Sequence, residues 1–140
     1  MAVLWPRKLP RSVLDDPRRR AEVRVYDRLA DVLDDSFHVF YSSPWLGTDS
    51  LGNERDGECD FLIAHPIHGI LAIEVKGGQE ISFDPRDGQW RSTDHGGFVH
   101  KIKDPVAQAR SAKHEILKRL NESARWPKRF IHSAHGVIFP

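Results

Sequence analysis

Two short apolar runs joined by a compact turn stand out near the middle of the chain. Residues 59–64 and 70–76 are rich in Ile, Leu, Val and Phe, and residues 65–69 between them contain Pro and Gly. A short Pro- and Gly-containing loop between such runs predicts a β-hairpin. Each run also carries charge where a strand would bury hydrocarbon, so the hairpin holds both a structural and a chemical signal.

Pairing of this hairpin about Ile67 defines a charged face and an apolar face. Asp60 then lies opposite Glu74, and Glu58 lies opposite Lys76. Residues two apart in a strand share a face, so these four side chains form one cluster. The apolar face comprises Cys59, Phe61, Ile63, Leu71, Ile73 and Val75. Two opposed carboxylates repel each other, so the charged end is either washed by solvent or holds a cation.

Helical periodicity predicts two helices, each introduced by an Asp-Pro pair. Asp16 caps a helix over Pro17–Leu33, and Asp104 caps another over Pro105–Asn121. The core face of the first comprises Ala21, Val25, Leu29, Val32 and Leu33. The core face of the second comprises Val106, Ala109, Ile116, Leu117 and Leu120.

Each predicted helix carries one polar side chain of interest. Glu22 falls inside the apolar arc of the first helix, and Gln108 flanks the core face in the first turn of the second. Glu22 is either an edge residue that reaches water or pairs with an arginine, or a carboxylate directed at a polar centre. Unpaired charged residues are rarely fully buried, and the wheel alone leaves both interpretations open.

Further strands follow from the same patterns. Residues 37–41 and 132–139 read as single strands, and residues 79–83 and 89–92 flank an Asp-Gly turn. The second pair predicts another hairpin that extends the sheet. Helix, strands, helix and strand in this order predict an α/β fold with a mixed sheet and packed helices.

Length and composition describe one globular domain. The chain has 140 residues, 39% hydrophobic and 29% charged, with a net charge of +1. We expect an N-terminal arm over residues 1–15 and one folded domain over residues 16–140. The last four residues form an apolar run without a polar tail, which indicates the N-terminal part of a longer protein.

Cysteine content and hydropathy bear on the compartment. Cys59 is the single cysteine, which excludes an internal disulfide and favours a reducing, cytoplasmic location. No apolar run approaches the roughly 18 residues of a membrane span, and the N-terminus does not resemble a secretory signal. The near-neutral net charge offers no bulk attraction for nucleic acid, so any such surface must come from local basic clusters.

The hairpin charges support a metal site. Two nearby carboxylates, Asp60 and Glu74, with backbone or water oxygens, are the ligands that Mg²⁺ or Mn²⁺ prefers. Lys76, two residues after Glu74 on the same face, would orient water or stabilise developing negative charge. The alternative is a surface salt bridge on an amphipathic hairpin. The apolar character of residues 71–75 around Glu74 argues against it, because an unpaired charge in a central strand is costly.

The order of these residues resembles the PD-(D/E)XK nuclease superfamily, in which an Asp precedes Glu-x-Lys across a hairpin. The chain is most similar to one member, the nuclease-related domain (NERD) family, over roughly residues 22–140. The resembling segments are Gly57-Glu58-Cys59-Asp60-Phe61, Gly69-Ile70, Ile73-Glu74-Val75-Lys76-Gly77, Asp104-Pro105 with Gln108, and Val137-Ile138-Phe139-Pro140. Cys59-Asp60 stands where the superfamily's namesake motif has Pro-Asp, which does not by itself indicate inactivity.

The resemblance implies a restriction-endonuclease-like αβββαβ core, a central mixed sheet flanked by helices. It also implies that Asp60 and Glu74 bind Mg²⁺ or Mn²⁺ with help from Glu22, that Lys76 is the catalytic lysine and that Gln108 completes the active centre. Domains of this family are often joined to helicase, kinase or other DNA-processing modules, in agreement with a longer natural chain.

Other arrangements give weaker signals. His132 and His135 invite a zinc interpretation, but residues three apart on a strand point to opposite faces, and Cys59 faces away from the charged cluster. No Gly-rich phosphate loop and no Ser-His-Asp set stands out. Trp45 and Trp90 are candidates for base stacking, but a position in an exposed loop or in the core is the favoured interpretation of each.

The sequence thus predicts a metal-dependent nuclease that hydrolyses phosphodiester bonds in DNA, or in RNA, as an endo- or exonuclease without a membrane partner. A basic set would hold the nucleic-acid backbone: Lys101, Lys103, Arg125, Lys128 and Arg129. The alternative is a catalytically inactive module of the same fold that binds nucleic acid or a protein partner, since fold does not establish activity.

Overall fold

The computed structural model describes residues 1–41, 59–127 and 129–140 of the chain. Glu58, Trp45 and Lys128 therefore lie outside the described residues. The helices are α1 Arg11–Leu14, α2 Arg20–Val32 and α3 Pro105–Glu122, with a 3₁₀ turn at Pro17–Arg19. The strands are β1 Val3–Trp5, β2 His38–Tyr41, β3 Phe61–His65, β4 Gly69–Val75, β5 Glu80–Asp84, β6 Gln89–Thr93, β7 Val99–Ile102 and β8 Ser133–Ile138.

The main sheet is five-stranded and mixed, in the order β1-β2-β3-β4-β8. β3 runs antiparallel to both β2 and β4, whereas β8 runs parallel to β4 and β1 runs parallel to β2. A parallel neighbour requires a crossover connection, and α3 lies in the connection that brings the chain back to β8. The fold is therefore α/β with a mixed central sheet and helices, as the sequence predicts.

The predicted β3–β4 register is confirmed. Phe61 pairs with Ile73 and His65 with Gly69, so the hairpin is centred on Ile67. The turn is fixed by the ring of His65, whose Nδ1 accepts hydrogen bonds from the N–H groups of Ile67 and His68 at 3.1 Å each. Turn geometry and buried side chains agree on one register, which is what prevents a one-residue slip.

The hairpin is buried on both faces. One face packs with α2 and β2 and includes Phe61, Ile63, Ile73 and Val75. The other packs against α3, where Leu62 and Ala72 meet Ala112 and Ile116. The sequence predicted an apolar face and a charged face, but apart from its end the charged face is a second core surface.

Cys59 is a correction to the predicted apolar face. It lies with Leu62 and Ala72 on the α3 side. Its neighbour Asp60 is a bend, and β3 begins only at Phe61. Side-chain alternation applies within a strand, so it cannot be extended to Cys59.

Both predicted helices exist, but the first begins as the 3₁₀ turn Pro17–Arg19, and α2 itself starts at Arg20 without a side-chain cap. The second starts at Pro105 with the predicted cap. The Asp16 carboxylate accepts the Arg18 N–H, and the Asp104 carboxylate accepts the N–H groups of Val106 and Ala107. Two predicted core residues are wrong, since Val32 is 52% exposed and Val106 is 39% exposed. Val32 is the last residue of α2, and Val106 follows the buried Pro105 in α3. The buried residues of these two helices that the wheel left out are Tyr26, Ala30, Pro105 and Ala112.

The second hairpin forms, but it does not extend the main sheet. β5 and β6 pair as predicted, and β7 joins them in a separate three-stranded sheet of order β5-β6-β7. β4 already has β3 and β8 on its two sides, so β5 has no free edge of β4 to join.

The segment expected as an arm supplies a strand and core side chains. β1 pairs with β2, and Ala2, Leu9 and Val13 are buried in the α2-side core. The ring of Trp5 stacks on Phe40 with centroids 6.4 Å apart. In the part of the chain that the structure describes, no helix is long and apolar enough to cross a membrane.

Gly69→Ala tests the close approach of the hairpin to β8. Gly69 has φ +90°, and an added Cβ would lie 2.0 Å from the carbonyl oxygen of His132. We expect a loss of unfolding free energy of roughly 3 kcal/mol or more, since a left-handed residue costs about 1–2 kcal/mol and the clash adds to it. Urea denaturation measures the loss.

Gly88→Ala is the matched control. Gly88 has φ +67° but no atom within 4 Å of an added Cβ, so only the backbone cost of about 1–2 kcal/mol applies. Equal losses for the two variants would contradict a tight Gly69–His132 approach.

Candidate active site

Asp60 and Glu74 meet at the end of the β3–β4 hairpin. Asp60 lies one residue before β3, next to the last ladder pair Phe61–Ile73, and close enough to Glu74 for the two charges to interact. The Asp60 carboxylate accepts the backbone N–H of Val75 at 2.7 Å, which anchors it beside Glu74. Glu74 itself is a buried residue with 6% exposure. The structure thus brings together the two carboxylates that the sequence placed in opposition.

The ammonium group of Lys76 contacts one oxygen of Glu74. Lys76 Nζ lies 3.2 Å from Glu74 Oε1, and its backbone N–H donates to the carbonyl of Ile138 at 3.0 Å. β8 therefore fixes the backbone of Lys76, and Glu74 pairs with the Lys76 ammonium group. The other oxygen, Glu74 Oε2, is buried and has no hydrogen-bond partner among the residues that the structure describes. Buried carboxylate oxygens almost always have one, so this atom marks a place for a water or a cation.

The pKa values at this pair are raised. Burial first, and then the negative charges of Glu74 and Glu22, raise the pKa of Asp60 to about 7. Burial also raises the pKa of Glu74, while the charge of Lys76 opposes that shift. Keeping both groups ionised is unfavourable in the bare protein, which is the electrostatic condition for binding a cation.

Glu22 lies close enough to influence both carboxylates, but its own contacts are elsewhere. Its Oε2 accepts from Arg19 Nη1 at 3.2 Å and from the hydroxyl of Tyr41. Arg19 also donates to the Tyr41 oxygen at 2.9 Å. The pairing with an arginine that the sequence left open is thus observed, together with a tyrosine that the sequence did not indicate.

The approach of α2 to β4 depends on a glycine. A Cβ at Gly77 would lie 2.7 Å from the Cβ of Ala21, so only glycine lets the first turn of α2 come this near. That approach places Glu22 beside the hairpin end. The pattern Glu74-Val75-Lys76-Gly77 therefore includes one residue that acts through backbone contact alone.

Gln108 lies in the first turn of α3, on the helix that covers the Glu74 face. Its Oε1 is buried without a partner, so neither Lys76 nor any other described donor bonds to that oxygen. The sequence predicted Gln108 as a residue that positions Lys76 or a phosphate. In the structure, Gln108 Oε1 is available to accept a hydrogen bond from a ligand or a water.

The predicted basic residues do not form one surface. Lys101 and Lys103 line a cavity that includes Trp90, and Trp90 also borders a cavity lined by Lys76. Arg129 instead lines a cavity of about 620 Å³ with Ile67 and Gly69, at the other end of β4. The seven residues of β4 span about 20 Å, so Arg129 lies far from Glu74. Arg125 precedes it in the same connection and is exposed.

His135 is a residue that the sequence treated only as a zinc candidate. It pairs with Ala72 across β4 and β8, so it shares the α3 face, whereas His132 lines the distant cavity. Burial first, and then the charges of Lys113 and Arg110, lower the pKa of His135. No sequence pattern links β8 to the side of α3, since only the crossover brings them together.

The carboxylates suit a magnesium or manganese ion. Among the described residues, no three or more His, Cys, Asp or Glu side chains form a group that could hold a metal. Mg²⁺ commonly binds through only one or two carboxylates and fills its other positions with water and substrate phosphate. Asp60 and the unpartnered oxygen of Glu74 could supply these one or two carboxylate ligands. Glu22 bonds to Arg19 and Tyr41 instead.

The fold and site define an α/β protein with paired carboxylates and a lysine at one strand end. The model of the nuclease-related domain, NERD, matches residues 17–139. The chain therefore belongs to the nuclease-related domain family, as its motifs indicated. No curated protein and no solved structure shows significant similarity to it.

Asp60→Asn is expected to stabilise the protein above neutral pH in the presence of a chelator. The pKa of Asp60 in the folded protein, about 7, lies above the ordinary value of 3.8. Folding is therefore favoured while Asp60 is protonated, and that advantage is lost as the pH rises from about 4 through 7. The variant avoids this loss, by on the order of a few kcal/mol at about pH 8.

Urea denaturation at several pH values measures this effect. The gain from Asp60→Asn should shrink towards about pH 4, where the wild-type carboxyl is protonated. Asp31→Asn, at an exposed residue of α2, is the control and should show no such trend. A gain that grows towards low pH would show that folding does not raise the pKa of Asp60.

Proposed function

We propose that this chain is a metal-dependent nuclease that hydrolyses phosphodiester bonds in DNA. The observation that carries the proposal is the opposed pair Asp60 and Glu74, with Lys76 on one Glu74 oxygen and the other oxygen buried and unpartnered. The membership of the nuclease-related domain family supports it. Within this proposal, α2, β2, β3, β4, α3 and β8 correspond to an αβββαβ core.

Each residue of the site has a distinct task. Asp60 and Glu74 would hold Mg²⁺ or Mn²⁺, which neutralises phosphate charge and acidifies water when bound. Lys76 presents a cation beside the reacting phosphate and stabilises the negative charge that develops there. Gln108 offers a free amide oxygen at the α3 side of the same end. Glu22, bonded to Arg19 and Tyr41, adds negative charge at the edge of the site.

Burial shifts the ionisation of Asp60 into the range near neutral pH. With a pKa of about 7 in the bare protein, Asp60 is ionised only partly at neutral pH. A bound cation favours the ionised form, so activity should rise with pH through this range. Lys101 and Lys103 are the basic residues of the predicted set that lie near this end, and they are the ones we assign to the nucleic-acid backbone.

The wider context follows from the same proposal. We propose DNA as the substrate and partner, and a cytoplasmic setting for the lone Cys59. Burial raises the pKa of the Cys59 thiol to about 12, so it takes no part in the chemistry at neutral pH.

Glu74→Gln and Lys76→Ala should each lower cleavage by on the order of 100-fold or more, because each removes a charged group from the reacting centre. Supercoiled plasmid, linear duplex and single-stranded oligonucleotides are incubated with Mg²⁺, Mn²⁺ or chelator. Glu122→Gln and Lys118→Ala, both exposed on α3, are the matched controls and should cleave like the wild type.

If the wild type cleaves no faster than Glu74→Gln, the catalytic proposal fails. The protein would then act as a binding module of the same fold. The longest natural form of the chain is assayed in parallel, because an attached domain can complete an active site. Activity that survives chelation would equally contradict the metal-dependent proposal.

Mn²⁺ binding offers a readout that does not depend on cleavage. Millimolar Mn²⁺ should raise the melting temperature of the wild type, because a ligand that binds only the folded state stabilises it. Glu74→Gln should lose this rise, and Glu122→Gln should keep it. The same rise in Glu74→Gln would place the ion elsewhere.

A further inference from the structure

A cavity of about 400 Å³ opens directly beside Lys76 and has an aromatic wall. Lys76 and Gln79 provide its polar groups, and Ile81, Trp90 and Phe139 provide apolar surface. The rings of Trp90 and Phe139 are nearly parallel, 10° apart in plane with centroids separated by 6.4 Å. Sites for small molecules occupy roughly 300–1,000 Å³, so this cavity matches a single nucleotide in size.

The aromatic wall is supported from the second sheet. Phe83 pairs with Trp90 across β5 and β6, and their ring centroids lie 5.1 Å apart. Phe139 is 49% exposed and Phe83 is 48% exposed. Phe139, which lines the cavity beside Lys76, therefore presents half-exposed aromatic surface to a ligand.

The same tryptophan borders a basic groove. Trp90 pairs with Ile102 of β7, and a cavity of about 430 Å³ there is lined by Lys101 and Lys103. Both lysines are exposed. Asp104 also lines this second cavity, and Trp90 is the residue that it shares with the cavity beside Lys76.

This combination discriminates between nucleic-acid forms. Proteins that bind single strands without sequence preference combine a positive groove with aromatic side chains on which bases stack. A duplex offers the same phosphates, but its bases are stacked on each other and cannot enter an aromatic cavity. The basic groove alone would serve both forms, whereas the Trp90–Phe139 cavity serves only an unpaired base.

We infer that the protein takes a single-stranded substrate, with the nucleotide next to the scissile phosphate stacked in the Trp90–Phe139 cavity and the backbone continuing over Lys101 and Lys103. The inference rests on the proposed function for the position of the scissile phosphate. It assigns the substrate form, which the carboxylates and lysine do not determine.

Binding is measured by fluorescence anisotropy in the Glu74→Gln background, so that no strand is cut. The probes are a labelled oligothymidylate of about 12 nucleotides and a duplex of the same length. Trp90→Ala should weaken single-strand binding by roughly 5- to 150-fold, the range for loss of one stacked base. Duplex binding should change by less than about twofold.

Two further variants separate stacking from structure. Trp90→Phe keeps an aromatic face and should retain most of the single-strand affinity. Phe139→Ala tests the second ring of the aromatic wall. It replaces Trp90→Ala if that variant fails to fold. Trp126→Ala is the matched control, because Trp126 lines the cavity at the far end of β4 and should leave binding unchanged.

The lysines are tested through salt dependence. Lys101→Gln with Lys103→Gln should lower the slope of log affinity against log salt by about 1.4, since each single-strand phosphate contact contributes about 0.7. The Trp90 variants should leave that slope unchanged, because stacking releases no counterions.

The outcomes separate this inference from the proposed function. Equal losses for single strand and duplex in Trp90→Ala, or no loss in either, would overturn the single-strand inference. Wild-type cleavage with Mn²⁺ would still uphold the nuclease. A Trp90-dependent preference for single strands without any cleavage would uphold the inference and remove the catalytic proposal.

Discussion

The repulsion between Asp60 and Glu74 is the constraint around which the rest of the site is built. Two carboxylates face each other at the end of a hairpin whose strands are apolar on both faces. Water is largely excluded from Glu74, and among the described residues the negative charge of the pair is compensated by Lys76 at Glu74 and by the N–H group of Val75 at Asp60. This compensation is incomplete, as the unpartnered Glu74 oxygen and the raised pKa of Asp60 show. Such a pair lowers the stability of the fold, so a contribution to stability does not explain its presence.

The sheet makes this arrangement rigid. β4 lies between β3 and β8, so Glu74 and Lys76 are attached to a strand that is paired on both sides. α2 covers one face and α3 the other, and their first turns bring Glu22 and Gln108 to the same end. Gly77 permits the approach of α2, and the Asp104 cap begins α3 beside the site. Tertiary packing thus holds the side chains against a repulsion that would otherwise separate them.

The two ends of the main sheet differ in chemistry. The end at Lys76 continues into the second sheet, where Trp90 separates an aromatic cavity from a basic groove. The opposite end carries the β3–β4 turn, the ring of His65 and a larger cavity that includes Trp126 and Arg129. Similar residue types occur at both ends, but only one end lies within reach of the carboxylates. Position along β4, rather than composition, distinguishes the two surfaces.

The sequence alone determined the parts of this protein that depend on short-range pattern. The Asp104-Pro105 pair located the start of α3, and Asp16-Pro17 located the 3₁₀ turn that leads into α2. The spacing about Ile67 set the hairpin register, because caps and alternation act over a few residues. Opposition of Asp60 and Glu74 follows from that register, since both residues lie seven positions from the centre of the turn. Only the tertiary structure decided which elements meet across long separations. It joined β5 and β6 to β7 instead of the main sheet, paired Glu22 with Tyr41, and placed Arg129 in a cavity at the opposite end of β4 from Glu74. These relations follow from which strand edges are already occupied and which residues the crossovers bring together, and no local pattern in the chain encodes them.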